Sequence, residues 1–222
     1  MEKRRVVITG MGAITPVGNT VEETWAAIKA GKSGIGPITH FDTSDINIKY
    51  AAEVKNFDAS NYMDSKDARK MARFTKYAVA AAKMALEDSS LIGNAEVLND
   101  TGIFLGVGIG GFEITEDGCV RYHTSGHQRV PPMTIPELIP NEAAGNICMQ
   151  FGIHGLSHTV ATACASGADA LGDALDSIRS GRMDVCLAGG AESTINGFAM
   201  VSFDVLQTLS KTFTDDPTKS SR

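Results

Sequence analysis

Cysteine has the most reactive side chain in this sequence, and Cys164 is the one best placed to react. It lies in HTVATACASGADALGDALDSIRSGR, residues 158–182, where a β-branched apolar run gives way to a helical pattern. Leu156–Ala163 reads as a buried strand. Past the cysteine, Ala168, Leu171, Leu175 and Ile178 recur at helical spacing, while Asp169, Asp173 and Asp176 fall elsewhere around the helix. Cys164 is therefore expected at or just before a helix N-terminus. There, unpaired backbone N–H groups and the positive dipole end favour thiolate over thiol, the form that attacks carbonyl carbon. Its neighbours Ala163, Ala165, Ser166 and Gly167 leave room for a substrate. A lone cysteine among alanines is equally a common core residue, so spacing alone leaves both readings open.

Other residues with chemical potential carry weaker signals. Cys148 and Cys186 sit inside apolar patterns and read as core, and Cys119 reads as a loop residue. The run Gly106-Val107-Gly108-Ile109-Gly110-Gly111 matches a dinucleotide-binding fingerprint letter for letter. Its context fails: Gly118 interrupts the expected helix, and GHQRVPPMT stands where an acidic ribose ligand belongs. Close backbone approach to another group explains these glycines better. Thr9–Ala13 hints at a nucleotide fold too, but Pro16 falls where its helix should run. The histidines, His40, His123, His127, His154 and His158, fall in loop-like or strand-edge contexts with no partner pattern. Ser166 and Ser193 lack the surroundings of a serine-hydrolase nucleophile. No CxxC pair or His at metal-ligand spacing points to zinc, and widely spaced cysteines point to a reducing compartment.

The elements that must position Cys164 follow from pattern. Arg4–Thr9 reads as a buried strand, and Thr20 with Glu23 as a capping box opening a helix that Gly31 stops. Residues 32–62 are irregular. Lys66–Leu91 reads as one long helix whose Met71, Phe74, Ala78, Ala81 and Ala85 share a face. Its first two turns are crowded with basic residues, against the helix dipole. TGIFLGVGIGG is a strand entering glycines, followed by loops to about Pro136; ELIPNEAAGNICMQFG is a helix and MDVCLAGGAES a strand. The tail KTFTDDPTKSSR is polar. Strands alternating with helices predict an α/β layered domain. A length of 222 residues with 43% hydrophobic and 21% charged side chains suits a globular chain with a sizeable core. A formal charge of −6 gives no general attraction to nucleic acid or anionic lipid, so any basic docking site must be local. MEKRRVVITG begins like a signal peptide, but Gly10, Gly12 and Pro16 break the apolar run, and no segment approaches a membrane span.

Four motifs, VVITGMGAITPVG, LGVGIGG, VATACASGADAL and DVCLAGGAES, occur in an order and spacing that resemble the elongating β-ketoacyl–acyl-carrier-protein synthases. The resemblance runs over essentially all 222 residues, and TACAS is its strongest piece. It implies an α/β thiolase-like fold, the N-terminal βαβαβαββ half, with a five-stranded mixed sheet between helices. The domain would span residues 1–222, with the C-terminal half absent from this chain. It implies that Cys164 is the nucleophile of a type II synthase of fatty acid biosynthesis, accepting an acyl chain as a thioester. Its own backbone N–H would contribute to an oxyanion hole. Condensation with malonyl-carrier protein would follow with loss of CO2, without cofactor or metal. Ile109, Met133 and Thr134 match substrate-binding positions. Lys66, Arg69 and Lys70 match residues that dock acyl carrier protein, which would account for the basic helix start, and Arg129 is assigned to the same patch. The implied partners are acyl and malonyl carrier protein and a second copy in a homodimer paired through the strand before Cys164. Nucleic acid and membrane are not expected, and the location is cytoplasmic.

Departures from the family pattern matter. The two histidines and the lysine that the family uses for decarboxylation come from its second half and are absent, so no histidine here takes their role. The chain by itself is therefore expected to be inactive. PPMT at Pro131–Thr134 replaces an aromatic-containing run, leaving chain-length preference open, and Gln207 stands where a basic docking residue is common. Alternatives are a polyketide-type ketosynthase, a thiolase-like acyltransferase, and a non-catalytic partner subunit, against which retention of Cys164 counts.

Overall fold

The computed structural model describes residues 4–125, 127–210 and 215–221. The elements, in chain order, are α1 (Val21–Lys29), β1 (Gly36–Pro37), β2 (Tyr50–Ala51), α2 (Ser65–Ala68), α3 (Arg73–Asp88), α4 (Ala95–Asp100) and β3 (Gly102–Gly106). There follow α5 (Phe112–Ser125), α6 (Thr134–Leu138), α7 (Glu142–Phe151), β4 (Ser157–Val160), α8 (Ser166–Arg179), β5 (Cys186–Gly190) and α9 (Gly197–Val205). They form two compact units: residues up to Gly12 with Asp58–Ser193, and Ala13–Phe57 with residues from Thr194 onward.

The larger unit is built on a parallel sheet ordered β4-β3-β5. Ile103 pairs with Ser157 on one side of β3, and Gly102 with Cys186 on the other. All of β3 is buried, as a central parallel strand covered on both faces must be. Successive side chains point to opposite faces. Ile103, Leu105 and Val107 join the core built by Phe74, Val79 and Ile147 of α3 and α7, while Phe104 joins Val160, Ala170 and Ala174 beneath α8. Phe74 and Ile147 are sealed from solvent, each contributing about 1.5–3 kcal/mol of burial. α7 ends at Gly152 with φ +67°, a left-handed C-terminal stop that glycine takes without strain.

In the smaller unit α1 opens as its capping residues predict. Thr20 Oγ1 accepts the Glu23 N–H at 3.1 Å, and Glu23 Oε2 reaches back to the Asn19 N–H at 2.8 Å. The antiparallel pair β1–β2 carries a small core of Ile38 and Ile48 with Met200 of α9.

Several expectations are corrected. The described residues contain five strands, but in two sheets, three parallel and two antiparallel, instead of one five-stranded mixed sheet. Arg4–Thr9 is not a strand: a strand needs a ladder partner, and here Val7 and Ile8 are exposed while Gly10 and Gly12 lie flat against the α3 backbone. The long helix expected over Lys66–Leu91 is two, α2 and α3, because Asp64 caps α2 through the Lys66 N–H at 2.7 Å and Ala72 turns extended, with ψ 166°. The basic residues Lys66, Arg69 and Lys70 thus precede the long helix. Its own first N–H, of Arg73, is accepted at 3.1 Å by the Glu113 carboxylate. The loops expected before Pro136 contain α5, with Cys119 and His123 on it. Buried Gly118 fits within that helix because a Cβ there would sit 3.3 Å from the Thr134 methyl, so the missing side chain permits close approach. The single helix read over residues 137–152 is divided at Pro140 between α6 and α7. β4 is an exposed edge strand, buried only at Val160, and not the buried strand expected before Cys164. α8 buries Ser166, Ala170, Ala174 and Ser177 and leaves Leu171 exposed and Leu175 and Ile178 half-buried, so its buried face is rotated from the one its large residues predict. The basic opening Met1–Lys3, and Lys211–Thr214 of the polar tail, lie outside the described residues.

Candidate active site

Cys164 occupies a single turn of 3-10 helix, Ala163–Ala165, between β4 and α8, and its side chain is exposed. Ala163 carries the bend in a left-handed conformation, φ +53°, which costs an L-residue with a Cβ on the order of 1–2 kcal/mol. Ser166, 3% exposed, holds the bend closed. Its hydroxyl accepts the Thr162 N–H at 2.9 Å and donates to the Ala163 carbonyl at 2.7 Å. Thr162 is fixed from the other side by donating its hydroxyl to Asp169 Oδ2 at 2.6 Å. The result is a tight elbow that presents the thiol at the start of α8, where the first helical N–H groups lack intrahelical partners.

The elbow can lie this close to the sheet because glycines end the strands beneath it. A Cβ on Gly106 would collide with the Ser166 backbone, and one on Gly190 would sit 3.0 Å from Gly167 Cα. The glycine run therefore serves close backbone approach, as its failed dinucleotide context implied. Beyond β3 the chain passes Gly108, where a Cβ would lie 3.4 Å from the Ala163 carbonyl. It then presents Ile109, a large apolar side chain left exposed beside the elbow. The Ile109 N–H donates to Glu192 Oε2 at 2.7 Å.

The remaining sequence-derived positions lie elsewhere. Met133 and Lys70 line one open cleft with Met71 and Met149, and Cys164 does not line it. Thr134 begins α6, donates to the Pro131 carbonyl at 2.7 Å and packs on Gly118. Lys66 is on α2, Arg69 and Lys70 follow it, and exposed Lys70 pairs with Asp67 at 3.6 Å. Arg129 belongs to a separate turn, His127–Arg129. Burial pushes the Cys148 thiol up and the Cys186 thiol up to about 11, fitting their reading as core. His158 of β4 faces Asp173 of α8 at 3.9 Å and stacks edge-on against Phe104. Among the described residues no group of His, Cys, Asp and Glu could hold a metal ion, and no helix is long and apolar enough to cross a membrane. The sequence pattern assigned no supporting role to Ser166, Thr162, Asp169 or Glu192. Ser166 was legible only as a serine two positions past the cysteine, and Glu192 only as the acid ending AGGAES.

Cys164 is thus an exposed thiol on a strained strand-to-helix elbow above a glycine-floored parallel sheet. Residues 3–222 match the family model of the β-ketoacyl synthase N-terminal domain, and the chain belongs to that family. Among individual relatives, it is 44% identical to 3-oxoacyl-acyl-carrier-protein synthase 2 of Vibrio cholerae serotype O1 and 39% identical to that of a Synechocystis species. Each match covers 100% of this chain and 53% of the relative, so the chain spans about half the length of these curated relatives. A crystal structure of a β-ketoacyl synthase from Burkholderia phymatum superposes with TM-score 0.87 at 30% identity, covering 100% of this chain and 54% of that one. A type II polyketide ketosynthase, solved with its acyl-carrier protein and bound to the hexaketide, gives 0.79 at 26% identity, covering 96% and 58%. The α/β thiolase-like fold is the one these ketosynthases share.

Proposed function

We propose that this chain carries the nucleophile of an elongating, type II 3-oxoacyl-acyl-carrier-protein synthase of fatty acid synthesis. The observation that carries this is the exposed Cys164 on its clasped elbow. The Cys164 thiolate attacks the carbonyl carbon of an acyl thioester; the new C–S bond forms as the carrier thiol leaves, with the Cys164 backbone N–H among the oxyanion donors. Malonyl-carrier protein then loses CO2, and its carbanion attacks the acyl-cysteine. A carbon–carbon bond forms, the Cys164 thiolate is released, and the product is a β-ketoacyl thioester on the carrier. Ile109 borders the acyl chain on Cys164, while Met133 and Thr134, which lie away from Cys164, contribute to the acyl pocket of the second copy in the homodimer. Lys66, Arg69, Lys70 and Arg129 receive the acidic carrier. Support for a protein-borne substrate comes from the relatives' names and from the neighbour solved with its acyl-carrier protein. The complete protein is proposed to pair as a homodimer through the exposed edge of β4 and to work in a reducing, cytoplasmic setting, where four free cysteines persist. Residues 1–222 alone are not expected to condense, because the family's decarboxylating histidines and lysine are not among them.

The test uses the complete protein and a radiolabelled acyl-carrier protein. Covalent label is expected on one peptide, that of Cys164, and is lost in Cys164→Ala. Label that persists in that variant, or turnover by residues 1–222 alone, refutes the assignment. A polyketide-type ketosynthase is the second reading, favoured by the hexaketide-bound neighbour. Polyketide extension without reduction of successive β-keto groups would select it.

A further inference from the structure

Glu192 follows β5, and both of its carboxylate oxygens accept backbone N–H groups. Oε2 accepts the Ile109 N–H at 2.7 Å and Oε1 accepts the Ser193 N–H at 3.1 Å. The first bond joins segments 83 residues apart in sequence and ties the loop after β3 to the end of β5. Gly108 lies between the two, since a Cβ there would stand 3.2 Å from Oε2, a tight contact, and 3.4 Å from the Ala163 carbonyl. Glu192, the Ile109 loop and the Cys164 elbow thus meet at one glycine. An exposed loop residue bearing a large apolar side chain has several conformations open to it, and a charge-assisted hydrogen bond to its own amide is the direct way to select one. We infer that Glu192 is a positioning residue that latches Ile109 beside the elbow and so sets how long an acyl chain the nucleophile accepts. This rests on the acyl-synthase reading of Cys164. Glu192 touches no reacting atom; it acts through Ile109.

The experiment compares Glu192→Ala and Glu192→Gln with the unaltered complete protein. Amide hydrogen exchange at Ile109 reads the latch without reference to activity and is expected to accelerate about tenfold in Glu192→Ala. Glutamine has one acceptor oxygen and can hold only one of the two amides, so Glu192→Gln should fall between. Acylation of Cys164 by short and long acyl thioesters reads selectivity. In Glu192→Ala the long-to-short ratio of kcat/KM is expected to rise by about threefold or more as the freed Ile109 yields space. Alkylation by iodoacetamide, too small to meet Ile109, should stay within about twofold. Unchanged Ile109 exchange overturns the latch. An equal fall with both thioesters and iodoacetamide also overturns it, since that pattern belongs to general disruption of the elbow. Should Glu192→Ala fail to fold, the intermediate exchange and ratio of Glu192→Gln support the latch, and wild-type values of both refute it. Failure of the unaltered protein to acylate at all would overturn the acyl-synthase reading instead, and is told apart because Ile109 exchange still responds to Glu192.

Discussion

At the scale of residues, the site depends on a serine that performs no chemistry. Left-handed Ala163 stores strain of about 1–2 kcal/mol, and the two hydrogen bonds of the Ser166 hydroxyl, about 1 kcal/mol each, offset it. Ser166→Ala is expected to destabilise the protein by about 1–2 kcal/mol, because it removes both part-buried hydrogen bonds that its hydroxyl makes to Thr162 and Ala163. It should also slow alkylation of Cys164, whose elbow would relax. Ala163→Gly in the same background should restore about 1 kcal/mol, since glycine holds φ near +53° without a Cβ clash. Urea unfolding of the two single variants and the double variant measures the coupling, and strict additivity would show that Ser166 and Ala163 do not act together. The position of Cys164 was legible from spacing, but its elbow was not. A strand followed by a helix says nothing of the φ angle between them, and that angle is what gives Ser166 its task.

At the scale of elements, local pattern failed wherever a partner distant in sequence decided the outcome. α3 starts late because Ala72 is extended and a carboxylate from α5 takes its first N–H; no local window contains that carboxylate. α8 buries small residues because the glycine-ended strands approach its start closely, so Leu171 is left exposed and Leu175 and Ile178 are only half-buried. The β1–β2 pair has a similar non-local support. Glu53, 6% exposed, accepts the Thr39 N–H and hydroxyl and the His40 N–H at 2.7–3.1 Å. Burial alone would raise its carboxyl, but the bonds from Thr39 and His40 outweigh burial and hold it below the usual range. A carboxyl with a lower pKa folded than unfolded adds stability above its unfolded value of about 4.3, and that contribution is lost as pH falls through the folded value. The Ala13–Phe57 segment should therefore lose protection against amide exchange on acidification below about pH 4. In Glu53→Gln the element should be weaker at neutral pH by about 1–3 kcal/mol, and less sensitive to acid. An identical pH slope in that variant would remove Glu53 as the cause.

At the scale of the whole molecule, family membership was the most legible property, because the four motifs spread along the chain and each answers to a tight glycine or elbow geometry. Strand number was less legible: Arg4–Thr9 has the composition of a strand, but pairing depends on a neighbour and not on composition. Charge is read at this scale too. With a net −6, attraction of an acidic carrier must come from a local patch. Reversing Lys66, Arg69 and Lys70 to Glu in the complete protein should weaken carrier binding by about tenfold or more and flatten its dependence on salt. Lys70 alone should contribute least, since it already neutralises Asp67. Anisotropy titrations at two ionic strengths measure this, and an unaltered affinity would place the carrier on another surface.

The sheet order β4-β3-β5 has a consequence for biosynthesis. β3 is the central strand and the first of the three to be made, while both partners are encoded well downstream. At about 5–20 residues per second, a ribosome delivers the last partner only seconds after β3 emerges. Throughout that interval GIFLG has no ladder partner, and of the helices that cover it only α3 has been made, although the finished fold buries the strand completely. The same strand that forms the floor of the Cys164 elbow is thus a stretch of the nascent chain that a chaperone would shield.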